Sequence, residues 1–168
     1  MTAAAPLTAA LETAATSPLQ IELTFVLNLT PEQAFDLVAH RLPEWFTAIH
    51  TVTWDDSKSL SGARTHGACS ERSCDFDGKA LKEVIVSYEP GRRYSYSVDM
   101  KRSEMKMPLE DHLGSFDLEA VAGGCLVVWR QHFKPKWFVP GAMLRWQMGE
   151  RMMRPAVEKL LATHGGRW

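Results

Sequence analysis

The sequence predicts an α+β domain: seven short strands in one antiparallel sheet, two short helices after the first strand, and one long helix at the C-terminal end. Three observations predict it. Period-two alternation of apolar and polar residues recurs in short segments divided by turn signals, which favours antiparallel neighbours. Near the front, one segment changes to helical spacing behind a capping signal. Finally, the stretch from Trp137 to Gly166, "WFVPGAMLRWQMGERMMRPAVEKLLATHGG", repeats apolar residues at three- and four-residue steps. About 25 residues of helix span roughly 37 Å, enough to cross a sheet.

The elements follow in order. Met1 to Pro18, Ala/Thr-rich, is expected to be a mobile leader, and the body a single domain over 19–168. In "LQIELTFVLNL" Ile21, Leu23, Phe25 and Leu27 share one face, as in a half-buried strand. Thr30 precedes a helix with Pro31 at its first position and Gln33 at its third, close to a capping box. Ala34, Phe35, Leu37 and Val38 form its apolar stripe, and "LPEWFTAI" reads as a second short helix plugged by Trp45 and Phe46. Strands are then expected at "HTVTWDD", "ARTHGACSE", "KALKEVIVSY", "RRYSYSVDM", "PLEDHLGSFDLEAV" and "CLVVWRQHF", the last two joined by "AGG" as a tight hairpin. In the terminal helix Ala142, Trp146, Gly149, Met153, Ala156 and Leu160 make the expected buried stripe, with Met152, Val157 and Leu161 beside it. Gly149 suits a close approach by a strand or a ligand, Pro155 is expected to bend the helix, and the methionines suit a surface that adapts its shape.

Composition excludes several classes. With 45% apolar and 23% charged residues the chain is globular, and a net charge of −1 provides no general field for nucleic acid. The charge is uneven: from Arg130 onward there are eight Lys/Arg against two Asp/Glu. Three cysteines, Cys69, Cys74 and Cys125, make no even disulfide framework and point to a reducing, cytoplasmic compartment. No run approaches the ~18 apolar residues of a membrane span. The steps between His66, Cys69 and Cys74 match no common zinc spacing, so no metal is expected. Nor is a cofactor, since no phosphate loop, dinucleotide fingerprint or nucleophile elbow occurs. "FKPKWFVPG" sets Lys134 and Lys136 beside Trp137 and Phe138, a composition suited to a helix-entry plug, a pocket lip or a weak membrane-surface contact.

Four segments carry a family likeness. They are "TPEQAFDLVAHRLPEWFTAI", "VSYEPGRRYSYSV", "GSFDLEAVAGGCLVVWRQHF" and the long terminal helix, together covering Leu19 to His164. In this order they resemble the START and polyketide cyclase/dehydrase superfamily, the SRPBCC or helix-grip proteins; Gly91 stands where that family's turn has a second proline. The resemblance implies a seven-stranded antiparallel sheet wrapped around the terminal helix, with an elongated cavity between them. It also implies an apolar small-molecule ligand: a lipid, polyketide or aromatic. It transfers no catalytic residue, because the superfamily shares no catalytic motif.

The candidate site therefore rests on strand parity. Val127, Trp129, Gln131 and Phe133 share an inward face of the last long strand. On the strand before it Phe116 and Leu118 share parity with His112 and Glu110, and on the one before that Tyr94 and Tyr96 face in. With Trp146, Gly149 and Met153 from the helix, these make an apolar cleft with a few convergent polar groups, the usual form of a small-molecule site. Three functions follow. The first is an SRPBCC-type binding protein holding an apolar ligand without chemistry. The second is a polyketide cyclase, aromatase or dehydratase with His112 and the tyrosines as acid/base groups. The third is a protein-interaction module of the Hsp90-ATPase-activator type.

Overall fold

A computed structural model describes residues 17–168; residues 1–16, and with them most of the segment read as a leader, lie outside the described residues. Ser17 and Pro18, which close that segment, are bound to the sheet. Ser17 Oγ donates to Asp111 Oδ1 at 2.6 Å and the Phe133 N–H donates to the Pro18 carbonyl at 3.2 Å.

The chain runs β1 (Leu19–Leu27), α1 (Pro31–His40), α2 (Leu42–Trp45), β2 (Ile49–Asp55), β3 (Glu71–Phe76), β4 (Lys79–Glu89), β5 (Arg93–Val98), β6 (Leu109–Val121) and β7 (Gly124–Pro135). The terminal helix follows in three pieces: α3 (Gly141–Met148), a π turn (Gly149–Met153) and α4 (Arg154–His164). To the seven expected strands the structure adds a two-residue eighth, β8 (Gly166–Arg167), paired to Val26 and Leu27. The sheet is antiparallel in the order β2-β3-β4-β5-β6-β7-β1-β8. One core lies between its concave face, α1, α2 and the terminal helix. The convex face is charged: Arg130 bridges Glu22 and Asp117, each at 2.7 Å. No helix among the described residues is long and apolar enough to cross a membrane.

Local chemistry sets these elements. The capping box at α1 is complete: Gln33 N–H donates to Thr30 Oγ1 at 3.3 Å, and Thr30 N–H donates to Gln33 Oε1 at 3.0 Å. The other end of α1 is buried, where its last carbonyls need partners. Three side chains supply them. Trp45 Nε1 donates to Leu37 O at 3.0 Å, the Tyr94 hydroxyl to Val38 O at 2.8 Å, and Arg72 Nη1 to Ala39 O at 3.0 Å.

Two expectations are corrected. The strand expected over Ala63 to Glu71 lies at Glu71–Phe76, and 56–70 is a looped connection. Asp, Ser and Gly in this loop satisfy their own backbone: Asp55 accepts from Ser57 N–H, and Gly67 N–H donates to Ser70 Oγ. Cys69 takes a positive φ of 68°, which ends extended pairing there. The second correction concerns the terminal helix. Met153, Ala156, Val157 and Leu160 are buried as expected, but Ala142 is exposed and Trp146 is 54% exposed. Leu144 and Met148 take their place on the inner side. The cause is the π turn, in which Arg154 N–H donates to Gly149 O, five residues back. Pro155 has no N–H to return to the preceding turn, and the wide turn absorbs the defect expected as a bend. It adds about one residue, roughly 100° of phase, so a stripe drawn at uniform pitch misplaces everything before it.

Candidate functional site

A cavity of about 80 Å³ lies between the concave sheet face and the terminal helix. Its upper wall is methionine: Met105 and Met107 from the β5–β6 connection, and Met148, Met152 and Met153 from the helix. Five of the chain's eight methionines thus meet at one cavity. Phe46, Phe76 and Leu81 line other sides. Beneath lies a polar floor of Tyr94, Tyr96, His112 and Gln131, joined by Arg72 and Glu83.

The floor is built by cross-strand register. Tyr96 pairs with Gly114, and Gly114 pairs with Gln131. With no side chain at Gly114, the Tyr96 ring lies across it and its hydroxyl accepts from Gln131 Nε2 at 3.1 Å. The same amide's Oε1 accepts from His112 Nε2 at 2.5 Å. That bond assigns the proton to Nε2, so Nδ1 is the acceptor nitrogen; it is buried and has no hydrogen-bond partner among the described residues. Burial pushes the imidazole below its ordinary value of 6.5, and the Gln131 bond opposes this only in part, so the ring is neutral at pH 7. Burial, then the nearby Glu83 charge, raises the Tyr96 phenol to about 12. His112, Gln131 and Tyr96 form an uncharged hydrogen-bonded row.

The second polar feature is ionic. Arg72 Nε donates to Glu83 Oε2 at 2.7 Å, and both side chains are buried. The guanidinium also lies 5.1 Å from the Tyr96 ring centre, 5.5 Å from Trp54 and 5.7 Å from Tyr94. Cys74 Sγ donates to Glu83 at 3.6 Å, and burial raises its thiol far above the ordinary range, which keeps it protonated. Among the described residues no group of three His, Cys, Asp or Glu is placed to hold a metal. His66 instead pairs with Asp56 at 2.8 Å and stacks on Trp54 at 4.1 Å.

Of the residues expected at the site, Tyr94, Tyr96, His112, Phe116, Gln131 and Met153 stand on the cavity wall. Leu118, Trp129 and Phe133 share the inward face but lie in the core behind it, Trp129 stacking on Phe116 at 4.9 Å between ring centres. Glu110 points outward and pairs with Lys134 at 2.6 Å. A register shift between Leu109 and Asp111 turns it out while His112 stays in. Trp146 is outside for the reason given above, and Gly149 abuts Ile21 of β1 rather than the cavity. Sequence parity missed Arg72 and Glu83. Glu83 shares parity with Leu81 and Ile85 in an apolar strand, and Arg72 alternates with Cys74, so a signal existed in the register.

Residues 18–163 match the family model described as polyketide cyclase / dehydrase and lipid transport. Solved structures share the fold at low identity. XoxI from Bacillus cereus is 19% identical with a TM-score of 0.65, over 86% of this chain and 94% of its own. A START superfamily protein from Mycobacterium smegmatis is 14% identical with a TM-score of 0.65, over 86% and 95%. The di-domain ARO/CYC StfQ of the steffimycin biosynthetic pathway is 14% identical with a TM-score of 0.63; the match covers 86% of this chain and 49% of StfQ. No curated protein matches the chain in sequence. The family match covers most of the body, and the eight-stranded antiparallel sheet with its long C-terminal helix agrees with it: the chain belongs to the polyketide cyclase/dehydrase and lipid transport family, within the START/SRPBCC superfamily.

Proposed function

We propose that this protein binds an apolar small molecule, lipid-, polyketide- or aromatic-like, in the cavity between the sheet and the terminal helix, without chemistry. The observation that carries the reading is the five-methionine wall over a polar floor whose His112–Gln131–Tyr96 row is uncharged. At about 80 Å³ the cavity is smaller than the ~150 Å³ void that accepts benzene. A ligand therefore enters by displacing side chains, and unbranched methionines move at low energetic cost. The floor then receives the ligand's few oxygen atoms, His112 Nδ1 accepting from a hydroxyl. Cys74 and Cys125 are buried thiols, which supports a reducing, cytoplasmic setting.

One observation favours a second reading, a cyclase, aromatase or dehydratase. His112, on the cavity wall, has an Nδ1 with no hydrogen-bond partner among the described residues and lies beside a phenol that stays protonated, the pairing that proton abstraction and return would use. The interaction-module reading finds less support, because the convex sheet face bears ion pairs rather than an apolar surface.

The test is native mass spectrometry of the purified protein for a co-purifying apolar molecule. It is joined by titration of a fluorescent fatty acid or flavonoid into wild type, His112→Ala and the outward-facing control Arg130→Ala. Binding is expected to weaken by ~0.5–1.5 kcal/mol in His112→Ala alone. Equal losses in both variants would remove His112 from the site. Normal probe binding by His112→Ala, with lost turnover of a polyketide-like substrate, would replace the binding reading with the enzymatic one.

A further inference from the structure

The chain leaves β7 through Lys134, Lys136, Trp137 and Phe138 and enters α3 through Met143 and Trp146. These apolar side chains face solvent: Trp137 is 91% exposed, Phe138 60%, Trp146 54% and Met143 52%. None of the four is buried in the core, although the same helix buries Leu144, Met153 and Leu160. Cations border the segment, and no Asp or Glu occurs from Lys134 to Gly149. Lys136 and Arg145 are exposed, Lys134 pairs with Glu110 at 2.6 Å, and Arg151 lies over the Trp146 ring at 5.5 Å.

This tip is fastened to the cavity wall. Lys136 N–H donates to Pro108 O at 2.9 Å, tying it to the connection that carries Met105 and Met107. Met148 and Met152, two and six residues past Trp146, line the same cavity from the helix. Outer aromatics and inner methionines therefore belong to one stretch of backbone.

We infer that the β7–α3 loop and the start of α3 dock on an anionic lipid surface, next to the methionine wall through which an apolar ligand exchanges. Tryptophan and phenylalanine at a convex tip suit the headgroup boundary, where the rings bury apolar area and flanking lysines meet lipid phosphates. A protein partner fits less well. The exposed apolar area is on the order of 500 Å² for these four side chains, short of the ~800 Å² per partner of a stable interface. Docking itself does not depend on what the cavity holds, so it stands or falls apart from the proposed ligand.

The experiment is co-sedimentation of the full chain with phosphatidylcholine vesicles, with and without phosphatidylglycerol. Wild type is expected to bind the anionic vesicles at least about tenfold more tightly than the neutral ones, and less at high salt. Trp137→Ser/Phe138→Ser is expected to lower anionic binding at least about tenfold. Lys136→Glu should lower it while sparing the weak neutral component, and Leu60→Ser, an exposed apolar residue outside the segment, should leave it unchanged. Melting curves equal to wild type show that the variants fold. Absence of wild-type binding, or equal binding by the double variant, overturns the inference. So does a wild-type dimer in light scattering that the double variant makes monomeric, since the surface would then belong to a second copy of the chain.

Discussion

The ring of Tyr96 lies across Gly114, its partner on the neighbouring strand, and a methyl group at Gly114 would overlap Tyr96 Cζ. One missing side chain thus allows the phenol to reach Gln131 on the strand beyond. Gly114→Ala is expected to force the ring aside, costing ~1–3 kcal/mol by overpacking. Tyr96→Phe keeps the ring and loses only the hydroxyl bond, ~0.5–1.5 kcal/mol. Urea unfolding compares the two; Gly114→Ala no worse than Tyr96→Phe would mean that the ring has other room.

The buried Arg72–Glu83 pair predicts strong non-additivity. Removing one partner leaves the other charge stranded, so Arg72→Met is expected to cost ~3–5 kcal/mol. Arg72→Met/Glu83→Leu should recover most of this. It should still fall ~1 kcal/mol short of wild type, because the Ala39 carbonyl at the end of α1 loses its donor. Additive losses in the double-mutant cycle would show the pair to be wet and loosely coupled.

Stability is expected to fall with acid between about pH 7 and 5. Burial holds His112 below its ordinary 6.5, and burial together with Arg130 and Arg93 does the same for His132. For each, the unfolded chain binds the proton more tightly than the folded one. The contribution is therefore complete above the unfolded value and is lost as pH falls through it towards the lower folded value, at up to ~1.4 kcal/mol per pH unit for each ring. Glu71 and Asp99, whose carboxyls are held low, act only in more acidic solution. Denaturant midpoints measured against pH should show a shallower slope for His112→Gln; an unchanged slope would contradict a neutral buried ring.

Gly149 has room for a methyl group, and a branched side chain would press further on Ile21. A Cβ there would meet Ile21 at 3.7 Å, an ordinary contact, and the backbone is helical with φ of −71°. Gly149→Ala is expected to be neutral or stabilising by up to ~1 kcal/mol, whereas Gly149→Leu should cost ~1–3 kcal/mol. Thermal melts separate them, and a destabilised alanine variant would mean that the π turn itself needs glycine.

What the sequence made legible follows its periodicity. Strands with hydrophobic inward residues, such as β1 with Ile21 and Phe25 and β7 with Val127 and Trp129, were read in place. β3 was displaced because its inward residues are Arg72 and Cys74, so its alternation looks polar throughout. The same disguise hid the Arg72–Glu83 pair, whose long-range partnership no local pattern encodes. His112 reached the cavity wall by parity, while Glu110, two residues away, did not, because a register shift separates them. Trp146 was misread through pitch, since nothing in a window of residues announces a five-residue hydrogen-bonded turn.

That turn has an evolutionary reading. A π turn is a helix that has taken in one additional residue while its flanks keep their partners. Deleting Glu150, exposed within the turn, should tighten Gly149–Met153 towards ordinary helix with Leu144 and Leu160 still facing the sheet, and leave Pro155 to bend the helix. Among related chains, a one-residue gap in the middle of this helix would then mark a change of local winding, with the sheet-facing residues kept on both sides.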